Sequence, residues 1–118
     1  MADLEELLGA AAKRFEPEVK RRLTGFLGSF VRAYLPQAWV FRTDRGVATL
    51  RVDATGTTSV TSGDDEHPDV TVEVPYRDLE RALSDRGAAR PDARTYSVTP
   101  RTAKGKAAFD YLRERIGL

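Results

Sequence analysis

The stretch WVFRTDRGVATLRVDATGTTSVTSGDDEHPDVTVEV, residues 39–74, decides the fold. Trp39, Val40 and Phe41 lead into Thr43-Asp44-Arg45-Gly46, a turn whose glycine adopts a positive φ at little cost. Ala48, Leu50 and Val52 then alternate with Thr49 and Arg51, the period-two pattern of a half-buried strand. Asp53-Ala54-Thr55-Gly56 makes a second turn, and Thr57–Ser62, centred on Val60, reads as a third strand. Gly63–Asp69 is a polar loop. Val70, Val72 and Val74 alternate with Thr71 and Glu73 as a fourth strand. Short turns between these four runs predict an antiparallel meander.

Working outward, the flanking segments are helical. Asp3 can cap a helix with Glu6 three residues on, and Leu4, Leu7, Leu8, Ala11 and Phe15 recur at helical spacing. Pro17 is expected to end or restart that helix, since proline removes an amide donor and crowds the preceding turn. Leu23, Phe26, Leu27, Phe30, Val31, Tyr34 and Leu35 share one face of a second predicted helix, stopped by Pro36. Beyond the strands, Tyr76, Leu79, Ala82 and Leu83 line one face of a helix. Residues 84–93 read as a loop, Tyr96 and Val98 as a short fifth strand, and Thr102 as the cap of a closing helix carrying Ala108, Phe109, Leu112 and Ile116. The expected architecture is α+β, a mainly antiparallel five-stranded sheet with helices packed on one face. No repeat divides the chain. Residues 1–118 form one domain, with 1–36 its helical segment and 38–118 its sheet and C-terminal helices.

Composition excludes several functions. The 118 residues are 41% hydrophobic and 31% charged, with a net charge of +1 and no cysteine, so a core can form without disulfides or thiolate metal sites. The uncharged run Ala33–Phe41 is far shorter than the roughly twenty apolar residues of a membrane span. Met1–Glu6 is acidic where a secretory signal is basic, and a cytoplasmic location is expected. The one histidine, His67, sits in Asp64-Asp65-Glu66-His67-Pro68-Asp69, away from any nucleophile-elbow serine, so hydrolysis has no apparatus. That acidic segment lacks the ligand spacing and mid-loop glycine of a calcium loop and reads as a solvated hairpin loop that blunts a sheet edge. Gly25-Phe26-Leu27-Gly28 matches no phosphate cradle. Charge is uneven, with seven acidic and two basic residues in 44–76 and ten basic and six acidic in 77–118. Arg90, Arg94, Arg101, Lys104 and Lys106 cluster near Tyr96, yet a pI of about 8.1 is below that of a dedicated nucleic-acid binder. Nucleic acid is not an expected partner.

From Trp39 to Leu83, and more loosely out to Ile116, the sequence resembles the sterol carrier proteins. The resemblance rests on a leading helix, the strand–turn–strand succession, Pro68-Asp69-Val70-Thr71-Val72-Glu73-Val74, and Leu79-Glu80-Arg81-Ala82-Leu83. Tyr96–Thr99 and Ala103–Leu118 occupy the places of the last strand and helix. In place of the usual glycine-rich segment before that strand stands the arginine-rich Arg86–Arg94. The resemblance implies a non-enzymatic carrier that holds a hydrophobic small molecule or lipid in an apolar cavity, with no cofactor and no metal. Facing pattern nominates Phe26, Phe30, Trp39, Phe41, Leu50, Val52, Phe109 and Leu112 as the lining. Lys104 and Lys106 are the expected contacts for an anionic head group or a membrane surface. The alternative is a protein-interaction module, a homodimer that keeps the fold without a tunnel.

Overall fold

The structure, a computed structural model, describes residues 3–25, 33–84 and 96–112, and within them leaves out the side chains of Phe15, Arg22, Ser84, Tyr111 and Leu112. Helix α1 spans Leu4–Thr24. Asp3 caps it as expected, its Oδ1 accepting the Glu6 amide at 2.8 Å. Leu4, Leu7, Leu8, Ala11 and Ala12 are buried along one face. Pro17 neither ends nor restarts the helix, which runs through it. The carbonyl it leaves without a donor, four residues back at Lys13, belongs to an exposed turn open to solvent. Leu23 therefore closes α1 rather than opening a second helix. Tyr34, expected on an apolar helix face, lies in a turn and is 44% exposed. The Gln37 side chain donates to the Tyr34 carbonyl at 2.6 Å, bracing the chain as it enters the sheet. Phe26, Leu27, Phe30 and Val31 lie outside the described residues.

The strands are β1 (Gln37–Thr43), β2 (Gly46–Val52), β3 (Thr58–Ser62), β4 (Val70–Glu73) and β5 (Ser97–Pro100). They form one sheet in the order β3-β2-β1-β4-β5. The meander holds for β1, β2 and β3, which pair antiparallel in sequence. The glycines of the turns have positive φ, 129° at Gly46 and 84° at Gly56, and Asp53 Oδ1 accepts the Thr55 and Thr57 amides across the second turn. The expectation fails at β4. It lies on the far side of β1 and pairs with it in parallel, Trp39 opposite Val70 and Phe41 opposite Val72, so the sheet is mixed. β5 adds antiparallel to β4.

The reason lies in residues 63–69. To carry the chain from one edge to the far side of β1, this segment crosses the sheet face opposite the helices. Thr49 donates to the Gly63 carbonyl at 2.8 Å, Arg51 pairs with Asp65 at 2.7 Å, and Arg42 pairs with Asp64. The acidic segment is thus a strap over a face, in place of the solvated hairpin loop expected at an edge. Val40 and Thr49 have no exposed surface.

The other face carries Trp39, Phe41, Ala48, Leu50, Val70 and Val72, set there by strand alternation. Helices cover it. α1 packs over β2 and β3, and α2 (Tyr76–Ser84) lies against α1. α3 (Ala103–Leu112) packs on β4 and β5. The Tyr76 amide at the start of α2 donates to Asp44 Oδ1 of the β1–β2 turn, and Arg14 of α1 donates to the Leu83 carbonyl near its end. Both contacts satisfy helix-end groups that burial would otherwise strand.

Candidate functional site

Five of the eight nominated lining residues are buried on the helix-covered face: Trp39, Phe41, Leu50, Val52 and Phe109. Trp39 and Leu50 are direct cross-strand partners. Phe109 reaches them from α3. Its ring lies 5.5 Å from that of Trp39 at 50°, a tilted aromatic contact. Trp39, Phe41, Leu50 and Phe109 belong to one apolar cluster with Val70, Val72 and Tyr76. Val52 is buried outside that cluster, at the Gln37 end of β1. Phe26 and Phe30, and the side chain of Leu112, lie outside the described residues.

The polar frame of this cluster is a junction at the start of α3. Thr102 is the helix cap, its hydroxyl oxygen accepting the Gly105 amide at 3.0 Å. The same hydroxyl donates to Asp69 Oδ1 at 2.8 Å. Asp69 Oδ2 accepts the Ala38 amide at 2.9 Å, and the Asp69 backbone bonds Ala38 on β1 and Arg101 beyond β5. One buried residue, through its carboxylate and its backbone, therefore joins β1, β4, β5 and α3. Gly105 lets the helix rest directly on the Asp69 backbone.

Lys104, expected to face a head group, turns back onto the junction, its Nζ 2.7 Å from the Pro36 carbonyl and 3.7 Å from Asp69 Oδ1. Lys106 is 67% exposed and pairs along the helix with Asp110. Beside them Gln37 is buried, its Oε1 accepting the Trp39 indole N–H at 2.9 Å and its Nε2 donating to the Lys104 carbonyl at 3.0 Å. At the far end of the cluster, burial pushes the Tyr76 phenol above its ordinary value of 10.0.

Sequence reasoning missed Gln37, Asp69, Thr102 and Gly105 as a unit. A partial signal existed: an aspartate directly before a valine-rich strand, and a threonine three residues before a helical glycine. Neither reveals that the two meet.

No profile of a known protein family matches the chain, and no curated protein matches it in sequence. Solved structures do resemble it. The crystal structure of sterol carrier protein 2 like 2 from Aedes aegypti aligns with a TM-score of 0.52 and 22% identity, covering 90% of this chain and 95% of that one. The UbiJ-SCP2 ubiquinone synthesis protein aligns with a TM-score of 0.51 and 11% identity, covering 97% and 94%. The sec-alkylsulfatase Pisa1 from Pseudomonas sp. aligns over 65% of this chain with a TM-score of 0.47 and 15% identity, and there the chain spans 13% of the enzyme's length. The first two alignments each cover at least 90% of both chains with TM-scores above 0.5: the chain has the sterol-carrier-protein fold.

Proposed function

We propose that this domain binds a hydrophobic ligand, a lipid, fatty acyl or sterol-like molecule, between the sheet and α3, and catalyses no reaction on it. The observation that carries the reading is the Trp39–Phe109 contact, an aromatic pair from two different layers at the centre of the apolar face. The sterol-carrier name of the Aedes aegypti structure supports the ligand class. Apolar surface is what such a site offers. At about 25 cal/mol per Å², an acyl chain leaving roughly 300 Å² of surface to the protein gains about 7 kcal/mol, near the micromolar range before association costs.

Trp39 and Phe109 are in contact and almost fully buried, so a ligand between the layers must part them. Lys106 remains exposed for a head group or membrane surface, while Lys104 has internal partners to leave first. Among the described residues no helix is long and apolar enough to cross a membrane.

The test is native mass spectrometry of protein purified without detergent, followed by organic extraction. A lipid bound near one per chain supports the reading. An empty chain that also fails to take up added fatty acid overturns it, and an empty species of twice the chain mass favours the homodimeric module.

A further inference from the structure

Gln37 is a polar side chain among apolar ones and is 5% exposed. Burial of a carboxamide is costly unless its groups are bonded, and here they are. Its oxygen accepts the Trp39 indole N–H, while its nitrogen donates to the Lys104 carbonyl in the first turn of α3 and to the Tyr34 carbonyl before β1. A leucine could fill this volume. It would leave the indole N–H and the Lys104 carbonyl without their partner.

The two ends of this bridge are the two sides of the proposed site. Trp39 belongs to β1 and Phe109 to α3, and their rings meet at 5.5 Å. The indole is thus held twice, by the tilted Phe109 ring and, at its nitrogen, by Gln37. The Gln37 nitrogen is in turn held by the helix that carries Phe109. Displacing α3 would draw both the Phe109 ring and the Lys104 carbonyl away from β1. The amide would then keep only its bond to the Tyr34 carbonyl, and the indole's acceptor would loosen as the indole loses its aromatic neighbour.

We infer that Gln37 is a positioning residue that couples the seating of α3 to the orientation of the Trp39 indole. Its part in ligand uptake rests on the proposed function; the coupling itself belongs to the free protein. Ligand entry beneath α3 and reorientation of Trp39 are then one event.

The chain has a single tryptophan, so the nitrogen-15 spectrum of the whole chain has a single indole N–H signal. In the ligand-free Gln37→Leu variant that signal should move upfield and exchange with solvent at least tenfold faster, and the Gly105 amide signal should move with it. Gln37→Glu keeps an oxygen for the indole but sets a second oxygen against the Lys104 carbonyl. It should move Gly105 while the indole N–H, still bonded to an oxygen, keeps its slow exchange with solvent, a split that a space-filling residue would not produce. If neither variant folds, titration of the unaltered chain with cis-parinaric acid provides the readout. The indole, Gln37 side-chain amide and Gly105 signals should then move together with one dissociation constant. The coupling is overturned if the indole signal of Gln37→Leu stays in place, or if parinaric acid moves Gly105 and not the indole. Expected spectra for the variants with no binding of parinaric acid would remove the ligand reading and leave the coupling standing.

Discussion

A Cβ placed on Gly105 would lie 2.7 Å from the carbonyl carbon of Asp69 and 2.9 Å from its Cβ, closer than side chains sit in folded proteins. Helix α3 therefore meets the start of β4 backbone to backbone, and the whole junction beneath Trp39 and Phe109 depends on that approach.

In an open helix, glycine to alanine gains about 1 kcal/mol. At Gly105 the sign should reverse, because backbone must move to make room. Gly105→Ala should lower the melting temperature by several degrees or more, while Gly9→Ala, in α1 with nothing within 4 Å of its added methyl, should raise it. Thermal unfolding of the two variants checks the pair. Equal shifts would mean that α3 does not rest on Asp69.

Asp69→Ala would strand the Ala38 amide and the Thr102 hydroxyl, both of which it accepts. A fully buried orphan costs about 1–3 kcal/mol; Thr102 is exposed and its hydroxyl can turn to solvent, so the loss should be about 2 kcal/mol by urea unfolding. Asp69→Asn retains an oxygen for one of them and should lose less than half as much. Thr102→Ala, which removes only the cap and one donor, should fall between wild type and Asp69→Ala.

Among the described residues, four carboxylates lie below their ordinary range. The Thr58 amide holds Glu16 down, the Tyr76 amide Asp44, the Thr55 hydroxyl Asp53, and the His67 amide, followed by Arg51, Asp65. A carboxylate depressed in the folded state contributes stability above its unfolded value and loses it as pH falls through the folded one. With ordinary values of 4.5 for Glu16 and 3.8 for the aspartates, the melting temperature should hold from pH 7 to 5 and fall below about pH 4. Tyr76 gives the opposite limb. Its raised value adds stability that is complete below 10.0 and drains away as pH climbs past it. A melting temperature that rises on acidification from pH 5 to 3 would contradict the assignment.

Phe109→Leu keeps most of the buried volume and removes the ring that meets Trp39. Its cost in stability should stay under about 1.5 kcal/mol. Energy transfer from Trp39 to cis-parinaric acid should show at least fivefold weaker binding, with the emission of the free protein also shifted. Unchanged affinity would place the ligand elsewhere.

The residues themselves explain which parts of this structure could be read from sequence. Alternation placed Trp39, Phe41, Leu50 and Val52 on one face correctly, because a strand offers only two directions. That same alternation assigns a face and not a neighbour, so Val70 and Val72 were put on the right side of the sheet and beside the wrong strand. The deciding contacts, Arg42 to Asp64 and Arg51 to Asp65, join side chains that look like ordinary surface charge. Pro17 misled because its penalty depends on whether a carbonyl one turn back can reach solvent. Gln37 carries no signal of its role, since nothing local announces that a helix from the far end of the chain will come to rest on it. The fold class was legible through the strand succession and its likeness to the sterol carrier proteins; the junction at Asp69 was not.

The parallel pairing of β1 with β4 bears on how the chain comes into being. In a nascent polypeptide all the strands of the β1–β2–β3 ribbon are present once Ser62 has emerged, but the strand that covers the opposite border of β1 arrives only with Val70–Glu73. During that interval Trp39, Val40 and Phe41 are wetted, and β1 presents a bare row of amides and carbonyls to whatever is near. Translation stalled between these points would leave an adhesive intermediate, whereas release of the few residues through Glu73 supplies the missing border from the same molecule. The short 63–69 crossing thus limits how much chain must be made before the open border of β1 meets its partner.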